Sequence, residues 1–154
     1  SEERLAVIED ALRRVGSYGY DQAHHNCPLD GPCIYETGVP CYLSDCSGFV
    51  SYIWYSRLGR TYTPAPFYST FKDSWIKFNA QTAKPGDILL HYAGNIGDGV
   101  GDHALLYLGA IRLDGSPNLS YVTIDCTTKN GAGNVYVGNK GDRYISQCYV
   151  VKPD

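Results

Sequence analysis

Residues 43–59 read LSDCSGFVSYIWYSRLG and predict the central helix of the fold. The apolar side chains recur at helical spacing and should form one wide buried face, made of Phe49, Val50, Ile53, Trp54 and Leu58. Ser44 or Asp45 can cap this helix, because a short side-chain oxygen accepts hydrogen bonds from the free N–H groups of a first turn. Gly59 is the expected end. Cys46 is therefore expected in the first turn of a buried helix.

That position gives Cys46 a chemical role as well as a structural one. The N–H groups of a first turn form the positive end of the helix dipole, which favours a thiolate and can donate to an oxyanion. Ser47 and Gly48 are small enough to let a substrate carbonyl approach the helix start. Cys46 is thus a candidate nucleophile, and the alternative is that it forms one half of a disulfide.

A first helix is predicted over residues 1–16, SEERLAVIEDALRRVG. Acidic residues near its start and arginines near its end suit the helix dipole, and Gly16 is a natural terminator. The apolar residues at helical spacing are expected to form the buried stripe: Leu5, Ile8, Leu12 and Val15.

Residues 17–43 contain three cysteines and no helical or strand period, which predicts a long loop that is either cross-linked or functional. Six cysteines without a CxxC pair argue against a zinc site and favour an oxidising compartment with disulfides. A Cys27–Cys33 bridge is expected around the PLDGP turn, and Cys126–Cys148 is the best candidate for a second. Bridges from Cys41 to Cys27 or to Cys33 remain alternatives.

From Lys84 onward the sequence alternates turns and strands. KPGD reads as a turn, residues 94–102 as a glycine-rich loop, and a short helix is predicted earlier, over residues 69–78. The strands are expected at ILLHY (88–92), HALLYLGAI (103–111), SYVTIDC (120–126), VYVG (135–138) and RYISQCYVV (143–151). No helix separates them, so the sheet should be antiparallel. The plan is α+β, with N-terminal helices packed on a central sheet of about five to six strands in one domain, residues 1–154.

The composition excludes several classes of partner. The net charge is −3 and the basic residues form no run, which argues against nucleic acid and against a polybasic membrane surface. No apolar stretch reaches the roughly 20 residues of a membrane span. The sequence predicts no metal and no cofactor. We expect a monomeric, secreted or extracytoplasmic protein whose signal segment is not part of this chain.

A nucleophilic thiol needs a base and a group that orients the base. His103 opens a strand directly after the glycine-rich loop, and Asp125 lies late in the next strand. If these strands pair antiparallel, Asp125 falls opposite His103 and can fix its tautomer. The other histidines are interpreted as surface or strand residues: His24, His25 and His91.

Three segments together resemble the NlpC/P60 peptidases: DCSGFV, KPGDILL and HALLYLG, in this order. VGSYGY also resembles the Gly-x-x-Tyr-x-Trp segment of that family, with Tyr20 in place of the tryptophan. The resemblance implies a papain-like fold and a cysteine endopeptidase of the cell wall. Such enzymes cleave peptidoglycan or muropeptide stem peptides between γ-D-glutamyl and a diamino acid.

Carried over to this chain, the resemblance makes Cys46 the nucleophile, His103 the general base and Asp125 the third polar residue. Tyr18 would line the site near the thiol, and Asp45 would support the nucleophile turn, next to the small Ser47. The chain departs from the family in its longer loop with three cysteines, in the insertion RLDGSPNLS (112–120) and in having Asp as third residue.

Two other functions stay open at this point. The same residues would serve a papain-like amidase or acyltransferase that acts on another amide or acyl substrate. A function of a different class is a disulfide-stapled wall-binding module without catalysis. In that module Cys46 would be oxidised and the 14 tyrosines would form the binding surface.

Overall fold

The fold is α+β in the computed structural model, which describes residues 1–24, 27–57, 76–92, 103–128 and 134–154. Two long helices precede most of the strands. The helices are α1 (Glu2–Arg13), a 3₁₀ turn (Gln22–His24), α2 (Cys46–Arg57) and α3 (Asp142–Ser146). The strands are β1 (Gly19–Tyr20), β2 (Leu43–Ser44), β3 (Ile76–Lys77), β4 (Ile88–His91), β5 (His103–Arg112), β6 (Leu119–Thr127), β7 (Asn134–Lys140) and β8 (Cys148–Val151).

Six of the strands form one antiparallel sheet in the order β3-β8-β4-β5-β6-β7. This confirms the predicted fold class and the predicted number of strands. The order places β8, the last strand in the chain, between β3 and β4. The short strands β1 and β2 pair with each other in parallel, outside this sheet. None of the helices within the described ranges is both long enough and apolar enough to cross a membrane.

Two local predictions are wrong. The residues of RYIS belong to helix α3, whereas the sequence predicts a strand there. Residues 76–77 form β3, where the sequence predicts a helix. Both segments are short, and a short apolar run cannot show whether its period is helical or extended. The other predictions for residues 58–75 and 94–102 fall outside the described residues.

Helix α2 lies at the centre of the core, as the sequence predicts. Four of its apolar side chains are at most 1% exposed: Phe49, Val50, Ile53 and Trp54. They pack with one face of the sheet, and the Trp54 indole N–H donates to the Gly86 carbonyl at 2.9 Å. The other face of the sheet packs against α3, whose Ile145 is buried there. The start of α2 is thereby held in a fixed place above the strands.

Helix α1 buries a different stripe from the predicted one. Three of the four predicted residues are exposed, at 57%, 46% and 43%: Leu5, Leu12 and Val15. The buried apolar residues are Val7 and Ala11, which have no exposed surface, while Ile8 is half-buried. Val7 and Ala11 join the apolar cluster that contains α2, and their small side chains let the two helices approach closely.

The predicted disulfide between Cys126 and Cys148 is wrong. Cys126 is on β6 and Cys148 on β8, and β4 and β5 lie between those two strands. Neighbouring strands are about 4.8 Å apart, so three steps separate the two cysteines by about 14 Å. Their side chains also lie in clusters on opposite faces of the sheet. A disulfide requires Cα atoms within about 7 Å of each other.

The KPGD turn joins α1 to the sheet through a buried carboxylate. Asp87 has no exposed surface, and its two oxygens bind Arg4 Nη1 and Lys152 Nζ, both at 2.7 Å. The backbone N–H of Lys84 also donates to Asp87, at 2.8 Å. The carboxylate thus links the first helix, the turn and the segment after β8.

Replacing Asp87 with asparagine should lower the free energy of unfolding by about 2 kcal/mol. The amide keeps the shape but leaves Arg4 and Lys152 without their shared anion, and hydrogen bonds to charged groups contribute about 1.5–3 kcal/mol. Urea unfolding measures the change. Glu9→Gln is the matched control, since it neutralises an exposed carboxylate on α1. Equal stability of the two variants would contradict the structural role of Asp87.

Candidate active site

The start of α2 is capped by Asp45. The Asp45 carboxylate accepts a hydrogen bond from the Gly48 N–H at 2.7 Å, and its carbonyl accepts from the Phe49 N–H at 3.0 Å. The structure thus selects Asp45 as the cap from the two candidates, while the Ser44 hydroxyl donates to the Asp45 carbonyl at 3.3 Å. Cys46 is the first residue of the helix and is 7% exposed. Its thiol therefore lies at the positive end of the helix dipole.

The pairing of β1 with β2 brings Tyr20 next to this turn. Tyr20 pairs with Ser44, two residues before Cys46. Burial, together with the nearby Cys46 and Asp45 side chains, raises the pKa of Tyr20 to about 12. Tyr20 therefore borders the thiol. Tyr18, which the sequence analysis placed near the thiol, packs against the same apolar cluster, which contains Cys46.

Tyr18 is held in a different set of contacts. Its backbone is in the left-handed region, with φ of 63°, and its hydroxyl donates to the Asp30 carboxylate at 2.6 Å. Arg14 contacts both the Tyr18 hydroxyl and Asp30. These contacts join the end of α1 to the cysteine-containing loop. The left-handed backbone is uncommon for tyrosine.

His103 lies between Cys46 and Asp125. The His103 Nε2 atom is hydrogen-bonded to Asp125 Oδ2, and the Cys46 side chain lies close enough to the imidazole to raise its pKa. Because Nε2 is bound to Asp125, Nδ1 is the ring nitrogen left to accept a proton from the thiol. The strand register pairs Leu106 with Ile124, so Asp125 lies diagonally across from His103. The sequence analysis had placed the two residues directly opposite each other. A diagonal pair is still within reach of an imidazole.

The surroundings of His103 favour its protonated form. Burial opposes the charge, since only 19% of the side chain is exposed. The hydrogen bond to Asp125 and the proximity of Cys46 outweigh burial and raise the pKa of His103 to about 9. At neutral pH the imidazole is therefore positively charged, next to the sulfur of Cys46.

Asp125 is a buried residue, and one of its two carboxylate oxygens contacts His103. Its side chain is 1% exposed, and Oδ1 has no hydrogen-bond partner among the residues that the structure describes. Tyr136 is the cross-strand neighbour of Asp125 on β7. Burial and the nearby charge of Asp125 together raise the pKa of Tyr136 to about 12. His103 is thus the hydrogen-bond partner of the Asp125 carboxylate among the described residues.

The raised pKa of His103 predicts a measurable titration. The imidazole should titrate near pH 9 in the folded protein, well above its ordinary value of 6.5. Asp125→Asn should lower this pKa, because the carboxylate raises it. Nitrogen-15 NMR of the histidine rings measures both values. A His103 pKa at or below 6.5 in the unmodified protein would contradict this arrangement.

The same shift predicts how stability depends on pH. The folded protein binds the His103 proton more tightly than the unfolded chain does. Its contribution to stability is therefore complete below about pH 6.5 and is lost as the pH rises through about 9. Comparing the urea midpoints of the unmodified protein and of His103→Gln across this window isolates the contribution.

The remaining candidates occupy supporting positions. Ser47 is half-buried at the second position of α2, and its carbonyl accepts from the Ser51 hydroxyl at 2.6 Å. His91 pairs with His103 across β4 and β5, stacks on Tyr144 with ring centroids 3.7 Å apart, and bonds to Gln147. His24 bonds to Asp21 at 2.9 Å. His25 lies outside the described residues.

Similarity to known proteins is found among solved structures. No family model matches the chain, and no curated protein matches it. Among solved structures it is similar to a protein of Staphylococcus aureus subsp. aureus Mu50 described as similar to lipoprotein, NLP/P60 family. The sequence identity is 16% and the TM-score 0.48, and the match covers 97% of this chain. The chain spans 41% of that protein's length.

Proposed function

We propose that the chain is a cysteine peptidase of the NlpC/P60 type that hydrolyses peptidoglycan stem peptides between γ-D-glutamyl and a diamino acid. One observation carries the proposal: at the start of a buried helix, the thiol of Cys46 lies next to the imidazole of His103, which is hydrogen-bonded to the carboxylate of Asp125. The segments DCSGFV, KPGDILL and HALLYLG supply the substrate class through their resemblance to that family.

Acylation begins from an ion pair between the Cys46 thiolate and the His103 imidazolium. The His103 imidazole holds the proton of the Cys46 thiol, and the thiolate attacks the γ-glutamyl carbonyl carbon. The developing oxyanion is stabilised by N–H groups of the first turn of α2, among them that of Cys46, since Asp45 already accepts from Gly48. His103 then gives its proton to the leaving amine of the diamino acid. The products of this step are a free amine and a thioester on Cys46.

Deacylation uses the same residues in reverse. The neutral His103 takes a proton from a water molecule, whose oxygen attacks the thioester carbonyl. The bond to Cys46 breaks, and the γ-glutamyl carboxylate is released. Asp125 accepts the hydrogen bond from His103 Nε2 throughout, which keeps Nδ1 directed at the reaction. The negative charge of Asp125 also stabilises the His103 imidazolium whenever it is present.

The state of Cys46 favours an enzyme over a binding module. The binding module requires an oxidised Cys46, whereas Cys46 is a free thiol next to an imidazole in the structure. A papain-like amidase or acyltransferase would use the same three residues. The extracytoplasmic location and the monomeric state belong to this proposal as well.

Digestion of purified peptidoglycan tests activity and bond choice together. The expected products, identified by mass, carry a new free amine on the diamino acid and a new γ-carboxylate. A parallel panel of small acyl amides distinguishes the peptidase from a general amidase. Products that result only from glycan cleavage, or turnover of the acyl amides alone, would refute the proposed substrate.

A further inference from the structure

Three cysteine sulfurs converge in the loop between β1 and β2. The Sγ atoms of Cys27, Cys33 and Cys41 all lie within 4.8 Å of one another, and the first two are 3.6 Å apart. The sequence analysis predicted a Cys27–Cys33 disulfide and no metal. In the structure these cysteines are free thiols in a group of three.

The backbone holds the three sulfurs in place. The Cys41 N–H donates to the Gly31 carbonyl at 2.8 Å, and the Cys33 N–H donates to the Val39 carbonyl at 3.0 Å. These two bonds join the two sides of the loop around an antiparallel bridge between Pro32 and Pro40. The cluster is therefore the product of a defined loop conformation, which the linear spacing of the cysteines does not show.

Two of the three cysteines are almost completely shielded from water. Cys27 and Cys41 are each 2% exposed, whereas Cys33 is half-exposed. Buried thiolates this close together repel one another unless a cation lies between them.

We propose that Cys27, Cys33 and Cys41 bind a thiophilic divalent cation, such as Zn²⁺, through three thiolates. Zinc–sulfur bonds of about 2.3 Å in tetrahedral geometry place sulfurs about 3.8 Å apart, close to the spacing in the loop. Binding releases one proton from each thiol, so affinity falls as the pH falls. A solvent ligand completes the fourth position.

A disulfide fits this arrangement less well than a cation does. Any pair of these cysteines leaves the third sulfur within reach of the bond, so that thiol–disulfide exchange makes the three pairings compete. A cation uses all three sulfurs at once. The site would fix the loop that leads through β2 to Cys46, and it does not depend on the proposed hydrolase function.

Metal analysis of the intact protein tests the proposal. Protein purified with reductant and then equilibrated with Zn²⁺ should retain one zinc per chain by native mass spectrometry. Chelation should expose three further thiols to a thiol reagent. Adding Co²⁺ to the metal-free protein should give a thiolate-to-cobalt charge-transfer absorbance. That absorbance is a readout that a purely structural thiol would not produce.

Variants of single cysteines assign the ligands. Alanine at position 27, 33 or 41 should abolish the retained zinc and most of the cobalt absorbance, whereas Cys126→Ala and Cys148→Ala, the matched controls, should keep both. If a ligand variant does not fold, the stoichiometry of the unmodified protein still decides. Absence of bound zinc and cobalt with all thiols reduced would overturn the proposal. A disulfide among the three cysteines in protein isolated without reductant would also overturn it.

Discussion

Replacing Cys46 with alanine should lower the hydrolysis of a γ-D-glutamyl-diamino acid peptide by at least about 10⁴-fold, because the variant has no atom that can form the thioester. The loss should appear in kcat, since the rest of the cleft is unchanged. The thiol is small and lies at the start of α2, so the cap by Asp45 remains and the melting temperature should change little. Release of the diamino acid amine measures the rate.

The matched control for this change is Cys148→Ala. Cys148 is also buried, but it lies on β8 in the cluster that packs against α3, outside the proposed site. It should retain activity close to that of the unmodified protein. Undiminished turnover in a folded Cys46→Ala protein would refute the thiol mechanism. Equal loss in both variants would point to a stability effect.

Replacing His103 with alanine should cost more activity than replacing Asp125. His103 transfers protons in both half-reactions, and its removal should lower kcat by about 10⁴-fold. Asp125 acts only through His103, so Asp125→Ala should lower kcat by about 10²-fold. The pH–rate profile provides a second readout. Without the carboxylate the pKa of His103 falls, and the profile should shift to lower pH.

Thr123→Val is the matched control for Asp125→Ala. Thr123 lies two residues earlier on the same face of β6 and is equally buried. Valine preserves its shape, so the control reports packing damage on that strand without loss of the orienting group. A loss in Asp125→Ala as large as that in His103→Ala, or larger, would show that the orienting residue is misassigned.

The parts of the fold that follow from local rules could be predicted from the sequence. The apolar face of α2 is wide enough to set its period, and its burial is as expected. A short connection, residues 113–118, joins β5 to β6, and the antiparallel pairing of these two strands follows from it. His103 and Asp125 come together because both flank the ends of such paired strands.

The parts that depend on long-range packing could not be predicted. The stripe of α1 is ambiguous, because Leu5 and Leu12 are more apolar than Ala11 but only the smaller residue fits against α2. The order of strands is fixed by contacts between distant segments, which the sequence does not encode locally. The cluster of three sulfurs depends in the same way on a hairpin-like loop around Pro32 and Pro40.

The position of β8 has a consequence for the order of folding. Because β8 is the last strand in the chain yet pairs with both β3 and β4, β4 keeps an unpaired edge until Cys148–Val151 have been synthesised. A nascent chain can therefore assemble strands β4 to β7 of the sheet. Until β8 is available, it exposes the unpaired edge of β4, which can pair with other chains. Completion of the sheet therefore waits for β8, and a ribosome-stalled chain that ends before Cys148 should be sensitive to aggregation and to protease.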